Sequence, residues 1–159
     1  MTAVHLALGS NLGDRQANLR AALAALENAH IHILRRSSTW ETPPIPADQP
    51  HYLNAAILAE TTLPPHQLLA VLKQIEHHLG RRPGRRWGPR PIDIDILFYG
   101  DLQLETPDLV IPHPRIAERA FVLAPLAEVA QGPLPVLGAT AHQLLTRTGL
   151  QGARRIGEL

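Results

Sequence analysis

A chain of 159 residues with 45% hydrophobic and 18% charged residues is long enough to bury one substantial core and too apolar to stay disordered. No apolar run approaches the roughly 20 residues of a membrane span, and the start Met1-Thr2-Ala3-Val4-His5 lacks the charged flank of a secretory signal, so one domain over residues 1–159 in the cytoplasm is expected. The absence of cysteine excludes disulfides, thiolate chemistry and cysteine-ligated zinc, while a net charge of +1 conceals a local excess, because Arg81, Arg82, Arg85, Arg86 and Arg90 share one stretch without an acid.

Val4 to Leu8 alternates like a strand and stops at Gly9-Ser10-Asn11, after which Asp14 is placed to cap a helix carrying Leu19, Leu23 and Leu26 on one face. Ile31 to Trp40 reads as a second strand and Tyr52 to Thr61 as a third, separated by a proline-rich loop from Thr42 to Pro50. Pro64-Pro65 opens a helix with Leu68, Leu69, Leu72, Ile75 and Leu79 at helical spacing, ended by Gly80. Ile92 to Tyr99 is the fourth strand. Gly100-Asp101 permits a hairpin return through Leu102-Gln103-Leu104, and Ala117 to Ala130 and Thr140 to Thr148 read as added helices. Strand, helix, strand, strand, helix, strand is the order of a ferredoxin-like α+β sandwich, βαββαβ, here with a C-terminal hairpin and extra helices. Both main helices then cover one sheet face and leave the other for ligands.

The chemistry concentrates in Arg86-Trp87-Gly88-Pro89-Arg90-Pro91-Ile92-Asp93-Ile94-Asp95-Ile96-Leu97. A strand turns alternate side chains to opposite faces, so Asp93 and Asp95 share one face and Ile92, Ile94 and Ile96 the other. Two like charges about 7 Å apart along a strand are tolerable beside a cation. Hard carboxylate oxygens suit magnesium, and the neighbouring arginines suit a polyphosphate sharing that metal. A solvated outer strand face is the alternative reading of this segment. Gly9-Ser10-Asn11-Leu12-Gly13 lacks the Gly-Lys-Ser/Thr ending of a phosphate loop and reads as a structural turn.

The Arg86 to Leu97 block resembles the signature of the 6-hydroxymethyl-7,8-dihydropterin pyrophosphokinases, which transfer pyrophosphate from ATP to a pterin alcohol. Thr42-Pro43-Pro44, Tyr52-Leu53-Asn54-Ala55-Ala56, Pro112-His113-Pro114 and Arg119-Ala120-Phe121 follow in the family's order. The resemblance implies two magnesium ions held by Asp93 and Asp95, ATP as co-substrate, and phosphate contacts from Arg90, His113 and Arg119. It implies a pterin site of Thr42, Pro43, Ile45, Tyr52, Asn54, Trp87 and Phe121, with Tyr52 and Phe121 as walls around the ring. Lys73, Glu76, Ile96, Arg81, Arg85 and Arg86 match the nucleotide side, although which of the loop arginines meets ATP stays open. The expected partners are these two small molecules, with no nucleic acid and no membrane, and the expected state is a monomer. The arginine-rich segment from Gly80 to Arg90 is expected to close as a lid over bound substrates.

Two other readings compete. An RNA-recognition module shares this topology and a basic loop, yet it stacks bases on aromatic side chains where this chain carries two acids. Another metal-dependent nucleotidyl or glycosyl transferase shares an Asp-x-Asp pair, but not the Trp-Gly-Pro-Arg that precedes it here.

Overall fold

The computed structural model describes residues 1–44, 47–80 and 89–159. Its elements run β1 (Thr2–Ser10), α1 (Arg15–Asn28), β2 (His32–Arg36), β3 (Ser38–Thr42), β4 (Tyr52–Thr61), α2 (Pro65–His78), β5 (Asp93–Tyr99), β6 (Leu104–Glu105) and β7 (Val110–Ile111). A short 3-10 turn (Ile116–Glu118), α3 (Ala120–Val129), α4 (Ala141–Thr148) and β8 (Arg154–Glu158) complete the chain. The main sheet is antiparallel in the order β5-β1-β4-β3-β8, with β2 also pairing β4, and this contains the expected ferredoxin-like arrangement.

The local signals act as expected where the partner lies close in sequence. Asp14 caps α1, its carboxylate accepting from the Ala17 N–H at 3.1 Å. Leu19, Leu23 and Leu26 of α1 and Leu68, Leu72 and Ile75 of α2 pack with Val4, Leu6, Leu8, Ile94 and Ile96 in the core beneath the sheet. Pro65 opens α2, where its missing N–H costs nothing.

Four details differ from the sequence reading. The second strand is broken at Ser37, whose hydroxyl accepts from the Ala56 N–H at 2.9 Å while its own N–H donates to the Ala56 carbonyl at 2.9 Å. A buried side chain there replaces a regular ladder rung, so β2 and β3 form two segments. The hairpin turns at Thr106 to Leu109 instead of Gly100-Asp101, and it pairs β6 with β7, not with β5. The second face of the sheet is not left open, because α3 and α4 cover part of it in a second core with Phe98, Leu97, Val122, Leu123 and Leu144. Finally, β8 adds a strand that the sequence reading did not contain.

A register shift opposite His5 and Leu6 adds one residue to β5. The bulge turns both Leu97 and Phe98 toward the second core, where the His5 and Phe98 rings meet edge to face with centroids 5.8 Å apart. Ahead of the bulge, Asp93 and Asp95 keep the alternation and face away from α1 and α2, while Ile94 and Ile96 are buried beneath the sheet.

Candidate active site

Among the described residues β5 stands at one edge of the main sheet, so its carboxylates are reachable from the second face and from around the edge. Two cavities meet there. The first, about 290 Å³, lies above β1, β3 and β4 beside the start of α3; Thr42, Pro43, Tyr52, Asn54 and Phe121 line it. The second, about 380 Å³, lies between α2, β5 and the β6–β7 turn, with Lys73, Glu76, Ile96 and Asp108 in its wall. Arg90, Asp93, Asp95 and His113 line both. The fold thus brings Arg90, Asp93, Asp95 and His113 to one boundary, leaves Arg119 on the side of the first cavity, and sorts the other expected residues that the structure describes to either side.

In the first cavity Gly9 is required by close approach. A Cβ at that position would lie 2.8 Å from Asn54 Oδ1 and 3.3 Å from the Tyr52 ring. The Asn54 amide donates to the Thr42 hydroxyl across the β3–β4 pair, which fixes two buried polar groups at the floor. At the opposite wall the Arg119 guanidinium carbon lies 5.4 Å from the centre of the Phe121 ring. A cavity with aromatic side chains in its wall and the Asn54 amide and Thr42 hydroxyl in its lining suits a planar heterocycle with hydrogen-bonding edges.

At the boundary, Arg90 Nη1 approaches Asp93 Oδ1 at 3.8 Å. Asn11 holds the Arg90 backbone from both sides, its Oδ1 accepting from the Arg90 N–H at 2.8 Å and its own N–H donating to the Arg90 carbonyl at 3.0 Å. The same amide donates to Gln49 Oε1 at 3.1 Å and to the Pro50 carbonyl at 3.2 Å, so one buried side chain ties the loop ahead of β5 to the loop ahead of β4. Glu76, buried in α2, accepts from the Ile94 N–H at 2.7 Å and pins the helix to β5 between the two aspartates. Glu76 therefore has a positioning contact as well as a place in the second cavity.

The His113 backbone N–H donates to the Leu97 carbonyl at 3.1 Å, which lays this segment along the outer edge of β5. Burial, and then the positive field of Arg119, hold the His113 imidazole below its ordinary pKa; Asp93 opposes this and Arg115 adds to it. An arriving anion would act against this shift and favour protonation of the ring.

Among the described residues no group of three or more histidine, aspartate or glutamate side chains converges on a metal position. The donor set at the boundary is two carboxylates, hard oxygen ligands that line both cavities. It fits a magnesium ion, which keeps several waters and takes further oxygens from a substrate's phosphates.

Ile45, Arg81, Arg85, Arg86 and Trp87, and with them residues 81–88 of the expected lid, lie outside the described residues. Sequence reasoning did not single out four others. Gly9 and Asn11 were read only as parts of a turn, and Arg115 follows the Pro112-His113-Pro114 motif without having been marked. Gln151 carries no local signal, yet its side chain accepts from the Ala120 N–H at 3.1 Å and donates to the Glu118 carbonyl at 3.2 Å, anchoring the start of α3 that presents Arg119 and Phe121.

With this geometry in place, a family model described as 7,8-dihydro-6-hydroxymethylpterin-pyrophosphokinase (HPPK) matches residues 5–131. The chain belongs to this family. A 2-amino-4-hydroxy-6-hydroxymethyldihydropteridine pyrophosphokinase of Methylorubrum extorquens is 45% identical over 158 residues, covering 98% of this chain and 99% of the relative. The Bacillus subtilis protein of the same description is 48% identical over 129 residues, 80% of this chain and 77% of its own. A mitochondrial folate synthesis bifunctional protein of Pisum sativum is 52% identical over 127 residues, 79% of this chain and 25% of that protein. The chain thus spans about a quarter of the plant bifunctional relatives it matches. The crystal structure of Plasmodium falciparum HPPK-DHPS wild type with pteroate superposes at TM-score 0.73 with 17% identity, covering 92% of this chain and 42% of that one. A triple mutant of the same parasite protein reaches TM-score 0.76 at 18% identity, over 98% and 48% of the two chains. Likeness at that identity concerns the fold.

Proposed function

We propose that this chain transfers pyrophosphate from ATP to the hydroxymethyl group of 6-hydroxymethyl-7,8-dihydropterin, giving AMP and the pterin diphosphate, a step of folate biosynthesis. The observation that carries the reading is the meeting of two chemically distinct cavities at Asp93 and Asp95. The first cavity takes the pterin, with Phe121 and Tyr52 as its walls and Asn54 and Thr42 at its edge. The second takes the nucleotide, against Ile96, Lys73 and the β6–β7 turn.

In the transfer, the pterin hydroxyl oxygen forms a bond to the β-phosphorus while the bond from that phosphorus to the oxygen bridging it to the α-phosphate breaks. AMP leaves with the bonding electron pair, and the hydroxyl proton passes to a carboxylate of the aspartate pair or to water. Magnesium bound at Asp93 and Asp95 would supply neutralisation of the phosphate oxygens, and two such ions are the proposed complement. The chain's own part is to position and neutralise. Arg90, fixed through its backbone by Asn11, faces both cavities and meets the charge that builds on the phosphoryl oxygens. Arg119, at the residue before α3, adds a second guanidinium from the side of the first cavity. His113 lines both cavities and offers its ring to a phosphate oxygen, and an arriving polyphosphate favours protonation of that ring.

Both cavities are built within one chain, which supports a monomer as the working unit. Among the described residues no helix is long and apolar enough to cross a membrane. An RNA-binding reading is disfavoured because α3 covers part of the sheet face on which bases would stack. The test is AMP release from ATP with magnesium, run with and without the hydroxymethyl dihydropterin. Pterin-dependent release of AMP is the expected result; absence of AMP together with RNA retention at moderate salt would reverse the assignment.

A further inference from the structure

The cations around the two cavities are distributed in a way that an uncharged acceptor does not explain. Among the described residues Arg90 and His113 line both cavities and Lys73 lines only the nucleotide side, whereas Arg115 and Arg119 line only the pterin side. A hydroxymethyl dihydropterin carries no net charge. It needs flat walls and hydrogen-bonding partners, which Tyr52, Asn54 and Thr42 supply, and it has no use for a second guanidinium.

Arg119 already has a neighbour in that cavity, lying against the Phe121 ring. Arg115 is exposed, stands across the 3-10 turn from it, and is held in the motif by its backbone N–H, which donates to His113 Nδ1 at 3.5 Å. The fields of both arginines reach His113 and act in the same sense on it. Two cations of the first cavity thus lie near His113, the residue that also lines the second.

We propose that Arg115 binds the diphosphate once it has been joined to the pterin, so that it discriminates the charged product from the uncharged alcohol. The inference rests on the reaction proposed above. In that reaction the new bond joins the pterin oxygen to the β-phosphorus and the old bond to AMP breaks. The two transferred phosphates are then attached to the ligand of the first cavity and no longer to that of the second. A planar fork of donors at that cavity's mouth matches their oxygens, and it meets them only after transfer. Arg115 therefore sets how long the product stays, while the affinity for the alcohol is set by the strands below.

The test compares wild type, Arg115→Gln and Arg115→Lys. The dissociation constant of the 6-hydroxymethyl dihydropterin diphosphate is measured by calorimetry with magnesium, and the KM for the alcohol by AMP release. Arg115→Gln should weaken product binding about tenfold, the effect of one charge-assisted hydrogen bond, and shift the KM for the alcohol by less than about twofold. Arg115→Lys should fall between, keeping the charge without the fork. Unchanged product affinity in Arg115→Gln, or an equal loss for product and alcohol, overturns the inference while the wild type still releases AMP. A wild type that releases no AMP overturns the reaction itself, and the inference with it.

Discussion

The side of the site proposed for the pterin rests on the interior of the main sheet, and the side proposed for the nucleotide on its edge. The first is floored by β1, β3 and β4, where every strand has partners on both sides and the polar side chains Asn54 and Thr42 are already joined. The second is walled by an edge strand, one helix and the turn of a ribbon whose strands are two residues long. The difference follows from what each side must hold. A rigid bicyclic ring is recognised by a box that is rigid before it arrives, since few of its bonds rotate and shape decides the fit. A triphosphate chain is long and charged, and it is recognised by cations and metal arrayed along an accessible edge. Asp93 and Asp95 belong to both sides because an edge strand can be approached from its face and from its flank.

Removing that shared boundary should have the largest effect. Asp93→Ala and Asp95→Ala are each expected to cost about 4 kcal/mol or more in the transfer step, seen as AMP release reduced by several orders of magnitude in a chain with an ordinary thermal melt. Near-normal turnover in either variant would mean that the reaction does not cross this line. Phe121→Ala tests the box alone: pterin affinity should fall by roughly 1 to 3 kcal/mol through lost contact area and ring stacking, with ATP affinity unchanged. Equal weakening of both ligands in paired titrations would place Phe121 in a core that serves the two sides alike.

Gln151→Ala should act on the same side at one remove, because the amide satisfies two backbone groups where α3 begins. About 1 kcal/mol of pterin affinity is expected to go, again with ATP binding spared. A loss confined to ATP would contradict the division into two sides.

The smallest effect is expected outside both cavities. Glu41 receives a hydrogen bond from Arg15 at 2.9 Å and another from Arg154 at 3.1 Å, tying β3 to α1 and β8. The Arg15 hydrogen bond is the main cause that holds its carboxyl below the ordinary carboxylate pKa, with Arg154 adding to it against the opposing effect of burial. A lowered folded value means that the stabilisation is fully present above the unfolded value and disappears as pH falls through the folded one. Glu41→Gln should therefore lower stability by about 0.5 kcal/mol at neutral pH and by nothing once the carboxyl is protonated. Denaturant titrations at the two pH values check this, and a difference that grows in acid would contradict the sign.

The elements read most accurately from the sequence were those whose cause is local. Alternation between Val4 and Leu8, the cap at Asp14 and the prolines at 64 and 65 each act within a turn or two of chain, and the structure follows them. The positions that departed have distant partners. Ser37 breaks a strand because of Ala56, nineteen residues on. The hairpin after β5 is the exception, since its late turn is closed locally by the Thr106 hydroxyl, which donates to Asp108 and accepts from the Leu109 N–H.

The sequence by itself determined the composition of the site: the alternating carboxylates, the arginines before them and the Pro-His-Pro segment are chemistry carried by residue type and short spacing. Only the tertiary structure decided which of those residues face each other and what holds them. Asn11 lies 79 residues from Arg90 and Gln151 lies 31 from Ala120, so the hydrogen bonds that aim Arg90 and seat Arg119 and Phe121 leave no periodic trace in the chain. The division into two cavities has the same origin, since it requires β5 to end up at the edge of the sheet, and strand order is set by which buried faces find one another across the whole fold.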